Sequence, residues 1–197
     1  MAGTADIAKK TLRAEMRAKR AAADGVAAGV KLRDLHLAAF PNGVPPGAPA
    51  RAIVSGYWAM PGELDVRPLL LALIARGHGA CLPVVLGRGL PLEFRRWRDG
   101  DPLIRGALDI DRPTDAAPLL EPDVLLVPLL AFDAEGYRLG QGGGYYDRTL
   151  ARLRAARPII AVGVAHAFQE LDEVPHDPLD QRLDWIVTER DVRRVAD

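Results

Sequence analysis

Apolar positions along this chain recur at two periods, and the two alternate. Ala5 to Ala23 carries Ile7, Leu12 and Met16 as a sparse stripe at helical spacing, with Thr4 or Asp6 available as a cap. Gly25 and Gly29 weaken the adjoining piece, and a second helix is expected over Val30 to Phe40. Pro41 to Pro49 is rich in proline and glycine and reads as an exposed connector. Ala52 to Trp58 then reads as a strand, with a turn at Pro61-Gly62. A helix over Val66 to Arg76 would bury Leu69, Leu70, Leu73 and Ile74, and Ala80 to Leu86 forms a second strand.

The middle of the chain is less regular. Leu92 to Trp97 alternates like an exposed strand, and Arg98 to Pro122 reads as a long irregular excursion. Order returns with a strand at Val124 to Val127, a helix after Gly144, a strand at Ile159 to Val164 and a short last strand at Trp185 to Thr188. Uniformly apolar strands separated by helices predict a mainly parallel sheet covered on both faces. The expected fold is one α/β domain over residues 1–197, with a twisted sheet flanked by helices on both faces in a Rossmann-like, three-layer arrangement. Ligands of such sheets gather beyond the carboxyl ends of the strands. Three segments are expected to converge there: Trp58 with Glu63, the residues after Pro128, and His166 with Phe168.

Composition narrows the function. Nearly half of the 197 residues are hydrophobic, enough for a sizeable core, and the formal net charge is zero. A neutral chain gives no reason to expect nucleic acid or an anionic membrane as partner. The single cysteine, Cys81, cannot form an internal disulfide and lies in an apolar run, which fits a buried inert thiol and a cytoplasmic setting. The N-terminus has no continuous apolar segment resembling a signal peptide, and no apolar run approaches a membrane span.

The chemistry concentrates in Leu139-Gly140-Gln141-Gly142-Gly143-Gly144-Tyr145-Tyr146-Asp147-Arg148. Four glycines between a strand and a helix let successive N–H groups turn toward an anion, and the helix adds its positive end. A third glycine at dinucleotide-fingerprint spacing would fall on Tyr145, and no Gly-Lys-Ser/Thr ending is present, so neither familiar phosphate loop fits. Asp147 would repel a phosphate unless a cation stood between them, which points to a metal-bound phosphate.

The segment from Val127 to Asp133, then Gly136 to Gly140, then Gly142 to Arg148, resembles the signature of the 5-formyltetrahydrofolate cyclo-ligase (5,10-methenyltetrahydrofolate synthetase) family. That resemblance implies ATP- and magnesium-dependent ring closure of 5-formyltetrahydrofolate. It implies that Lys9, Lys10 and Arg13 contact ATP phosphates, together with Arg138, Leu139, Gly140, Gln141, Gly142, Gly143, Gly144, Tyr145 and Tyr146. Folate would meet Arg13, Trp58, Glu63, and Gln141 through Tyr145, with the Glu63 carboxylate accepting from adjacent pterin donors. Tyr145 and Arg138 would serve the reaction, and Asp147 and Asp180 would hold magnesium. Asp180 matches the family spacing from Pro175 and to Asp184, which Asp177 does not. Gln141 stands where an Arg or a Tyr is commoner in the family, Gly143 where some members have Lys, and His166 where the family often has an aromatic. The partners implied are the small molecules ATP and 5-formyltetrahydrofolate, acting on a monomer. The residues alone also admit a sugar-phosphate isomerase, or an RNA-binding protein using Arg95-Arg96-Trp97-Arg98.

Overall fold

A computed structural model describes residues 2–196, with side chains from Ile7 onward. The caps expected at Thr4 or Asp6 lie outside the described side chains.

The centre is a seven-stranded sheet. Its strands are β1 (Ile53–Ser55), β2 (Gly79–Val84), β3 (Glu93–Arg96), β6 (Val124–Pro128), β9 (Ile160–Val164), β10 (Trp185–Val187) and β11 (Val192–Arg194). The order is β11-β10-β9-β6-β1-β2-β3, parallel throughout except for the antiparallel edges β11 and β3. Trp185–Val187 is therefore not the last strand, because the chain turns back once more and covers that edge. Two small pairs complete the strands: β4 (Leu103–Arg105) with β5 (Asp111–Pro113), and β7 (Ala131–Phe132) with β8 (Arg138–Leu139).

Helices α2 (Gly25–Ala39) and α3 (Arg67–Ala75) cover one face through Leu32, Phe40, Leu69, Leu70 and Leu73. Helix α4 (Tyr145–Ala156) covers the other with Leu150 and Leu153, packed on Leu125, Val127 and Ile186. Helix α1 (Ala2–Arg20) packs with neither face: Met16 joins Leu130, Ala131 and Leu139 in a third cluster around β7 and β8. The expected stripe of Ile7, Leu12 and Met16 buries only Met16, since Ile7 is 67% exposed. The buried face of α1 instead runs Lys9, Met16, Arg20, so this helix covers polar ground.

Helix α2 starts at Gly25, capped by Asp24, whose Oδ1 accepts from the N–H groups of Val26 and Ala27 at 3.1 and 3.0 Å. It runs through both glycines that seemed to weaken it, for a steric reason. A Cβ at Gly25 would sit 1.9 Å from the Glu63 carbonyl oxygen, and one at Gly29 would sit 2.1 Å from that of Asp65. The glycines let the 63–65 segment lie directly on the helix, and the Asp65 N–H donates to Gly25 O at 2.9 Å. The connector Pro41 to Pro49 is only partly exposed, because Gly43, Val44 and Pro45 are buried. Among the described residues no helix is long and apolar enough to cross a membrane.

Candidate active site

A cavity of about 330 Å³ opens beyond the carboxyl ends of β1, β2 and β6. One end is the glycine loop, which leaves β8 and enters α4 through positive φ angles at Gly142 (101°) and Gly144 (62°). Three arginines hold its carbonyl oxygens. Arg13 Nε donates to Gly140 O at 3.0 Å, Arg17 Nη2 to Gln141 O at 3.3 Å, and Arg148 Nη2 to Gly143 O at 2.5 Å. The N–H groups of Gln141 to Gly144 meet no acceptor among the described residues. Such a loop at a helix N-terminus suits an anion.

The two departures in the loop have local explanations. Arg17 Nε donates to Gln141 Oε1 at 3.0 Å, so a cation from α1 stands beside Gln141. A Cβ at Gly143 would lie 2.6 Å from the Tyr145 ring, so any side chain there would displace that ring. Arg148 lies over the Tyr145 ring, 5.5 Å from its centroid.

Carboxylates and cations next to the loop are paired with one another. Asp147 Oδ1 accepts from Arg138 Nη2 at 2.7 Å and from the Gln181 N–H at 3.1 Å, while Arg138 also donates to Gln181 O. Asp180 Oδ2 accepts from Lys9 Nζ at 2.8 Å and from the Asp177 N–H at 2.8 Å. Asp177 takes a second hydrogen bond from Lys9 at 3.1 Å, a partnership the sequence spacing did not suggest. Burial pulls down the pKa of Arg138, and the Asp147 carboxylate opposes that pull. Burial also works against charged Lys9, but Asp180 and Asp177 together hold its pKa above the ordinary value.

The donor set fits a magnesium ion. All the hydrogen bonds to Asp147 use Oδ1 and all those to Asp180 use Oδ2, so the other oxygen of each meets no donor among the described residues. Magnesium needs only one or two such carboxylates when phosphate oxygens and water complete its shell. Lys10, expected beside Lys9, is exposed and does not line the cavity, because the next residue on a helix points about 100° away.

The other end of the cavity is built around Glu63, with Trp58 and Met60 on its wall. A turn at Met60–Glu63 closes through the Glu63 N–H to Met60 O, and Glu63 Oε2 accepts from the Met60 N–H at 3.0 Å. Glu63 Oε1 accepts from Arg20 Nη1 at 3.1 Å in a buried pair, and Arg20 also donates to Leu129 O. Sequence reading missed Arg20, although a signal existed: it lies four residues beyond Met16 and seven beyond Arg13 on one helical face. Burial, reinforced by the Glu63 charge, raises the pKa of the neighbouring Tyr57 and Tyr146 and keeps both phenols neutral.

The third expected segment does not enter the cavity. His166 donates from Nε2 to Gly62 O at 3.1 Å and stacks on Phe168, so it props the Glu63 turn from behind. Its place on the cavity wall goes to Asp177 and Asp180, and to Gly106, Leu108, Ile110 and Arg112 of the β4–β5 hairpin. The excursion that read as irregular thus supplies a wall, and its tip holds Leu108 and Asp109 at φ 60°. His176 stacks flat on Tyr137, 3.5 Å between centroids. Trp97 is buried in the core, which leaves Arg95 to Arg98 without an exposed stacking platform. Cys81 is buried, and burial pushes its thiol pKa far above the ordinary value, as expected of an inert core thiol.

Comparisons with known proteins identify the family and the fold. The model of the 5-formyltetrahydrofolate cyclo-ligase family matches residues 5–189. The 5-formyltetrahydrofolate cyclo-ligase of Escherichia coli K12 is 37% identical over 141 residues, covering 68% of this chain and 76% of its own. That of Mycolicibacterium smegmatis is 37% identical over 136 residues, 65% of this chain and 67% of its own. The structure of Aquifex aeolicus 5,10-methenyltetrahydrofolate synthetase superposes with a TM-score of 0.76 at 30% identity, over 96% of this chain and 93% of that one. The Mycoplasma pneumoniae 5,10-methenyltetrahydrofolate synthetase gives 0.70 at 25% identity, over 92% and 98%. The chain belongs to the 5-formyltetrahydrofolate cyclo-ligase family and is an enzyme of the ligase class.

Proposed function

We propose that this chain closes 5-formyltetrahydrofolate to 5,10-methenyltetrahydrofolate, using ATP and magnesium and releasing ADP and phosphate. The observation that carries the reading is a single cavity with the Glu63 carboxylate at one end and the amide-lined glycine loop with Asp147 and Asp180 at the other. In this reading residues 1–197 act as one domain and as a monomer, in a reducing cytoplasm that suits the lone buried thiol.

The chemical difficulty is a poor leaving group, because the N5-formyl oxygen cannot depart as oxide when N10 attacks. Its attack on the γ-phosphorus transfers the phosphoryl group and releases ADP. N10 then bonds to the formyl carbon and loses its proton, and the former formyl oxygen leaves within inorganic phosphate. Positioning and charge neutralisation carry such a transfer. Glu63 would accept from the 2-amino and N3–H groups of the pterin, held in place by Arg20 and the Met60 N–H, while Trp58 covers the ring. Tyr145, fixed between Gly143 and Arg148, would lie against the formyl group.

The loop amides, Arg13, Arg138 and Lys9 would hold the phosphates. Magnesium on Asp147 and Asp180 would neutralise phosphate charge. The two ion pairs prepare this exchange: incoming phosphates take the cations from the carboxylates, so neither charge waits uncompensated before binding.

The test tracks the oxygen. Substrate labelled with heavy oxygen in the N5-formyl group should give inorganic phosphate carrying one label per turnover. Label found in water, with phosphate unlabelled, overturns phosphoryl activation even if closure still needs ATP.

A further inference from the structure

The folate substrate is longer than its pterin. With the pterin at Glu63 and N5 facing the glycine loop, the aminobenzoyl ring and glutamate must run out of the cavity. The wall not claimed by either end is the β4–β5 hairpin. Leu103 of β4 packs on the same core cluster as Trp58 and Ala59, and β5 lies against β2, whose Pro83 lines the cavity. The hairpin therefore flanks the Glu63 end.

Its side chains are of two kinds. Leu108 lines the cavity yet is 64% exposed, an apolar surface at the mouth with nothing over it among the described residues. Arg112 lines it too, half-buried, with Nη1 donating to Asp115 Oδ1 at 2.6 Å and to Pro113 O at 3.2 Å. Its Nε and Nη2 meet no acceptor among the described residues, so the edge of the guanidinium that fits a carboxylate bidentately is free. The other cations lining the cavity, Lys9, Arg13 and Arg138, are engaged around the glycine loop. Arg105 and Arg67 do not line it and are paired with Asp111 and Asp65.

We propose that Arg112 is a specificity-determining residue that receives a glutamate carboxylate of the folate tail, with Leu108 covering the aminobenzoyl ring. The proposal rests on the cyclo-ligase reading and adds a subsite to it.

Binding is measured by calorimetry for 5-formyltetrahydrofolate and for 5-formyltetrahydropteroate, which lacks the glutamate. In the full chain, Arg112→Gln should weaken the first roughly tenfold, the loss of one partly exposed charge-assisted contact, and leave the second unchanged. Asp115→Asn, which removes the carboxylate charge beside Nη1 while keeping the cation, should not weaken either. Equal losses for both ligands, no loss for either, or a matching loss in Asp115→Asn would overturn the proposal, because each makes Arg112 a strut of the hairpin or a bystander. Ring closure is assayed alongside. A wild-type chain that binds both ligands but closes neither refutes the cyclo-ligase reading, while the binding comparison still decides the role of Arg112.

Discussion

The glycine-loop end of the cavity draws most of its surface from one stretch, Arg138 to Asp147, whereas the Glu63 end is assembled from pieces scattered across the chain. Behind Glu63 stand Arg20 of α1, Gly25 and Gly29 of α2, and His166 beyond β9, and beside it lies the β4–β5 hairpin. The contrast matches the chemistry that the proposed function asks of each end. Backbone N–H groups suit a phosphate, and consecutive residues of one glycine-rich loop can present several of them together. A pterin and its tail are gripped by side chains, and side chains can be brought from anywhere.

If the two ends are separable in this way, single substitutions should damage one and spare the other. The largest effect is expected at Asp147. Asp147→Asn keeps an acceptor for Arg138 but removes the charge offered to magnesium, and turnover should fall by about a thousandfold or more. Turnover measured against magnesium concentration checks this, and folate affinity should hardly move. Wild-type turnover with unchanged metal dependence would remove Asp147 from the metal site.

Next in size is Glu63→Gln, which sets a donor against pterin donors. Folate binding should weaken by about 2–5 kcal/mol with ATP binding little changed, as measured by calorimetry for each ligand. The same change strips Arg20 of its buried partner, so the fold should also lose stability. The double variant Arg20→Met/Glu63→Leu removes both charges and should recover thermal stability without recovering folate binding. Recovery of both would place the pterin elsewhere.

The smallest effect sharpens the contrast most. Gly29→Ala lies outside the cavity, yet its Cβ would meet Asp65 O and push the 63–65 segment off α2. The clash should cost about 1–3 kcal/mol of stability, partly offset by roughly 1 kcal/mol of better helix propensity. Folate affinity should drop and ATP affinity hold, whereas equal losses would mean the two ends share one scaffold after all.

The same contrast governs how much could be read in advance. The parallel sheet was legible because its strands are short apolar runs, and the loop because its glycines and Asp147 are adjacent. Asp180 was found through spacing alone, and its partnership with Lys9 reaches across to the first helix. Gly25 and Gly29 misled because a glycine in a helix looks like weakness unless the backbone pressing on it is known. Arg20 was hidden because a buried cation has the same letter as an exposed one. The hairpin was hidden because its strands are only three residues each and its tip uses left-handed Leu108 and Asp109, residues that rarely adopt that conformation.

The mutual pairing beside the loop has a kinetic meaning as well. Lys9 pairs with both Asp177 and Asp180, and Arg138 pairs with Asp147, on a chain whose formal net charge is zero. With two cations set against three carboxylates, the paired cluster itself carries no net positive charge with which to draw a phosphate in from solution. On the proposed function, Mg-ATP would arrive by unassisted diffusion, and the cluster would reveal its charges only once the phosphates were inside.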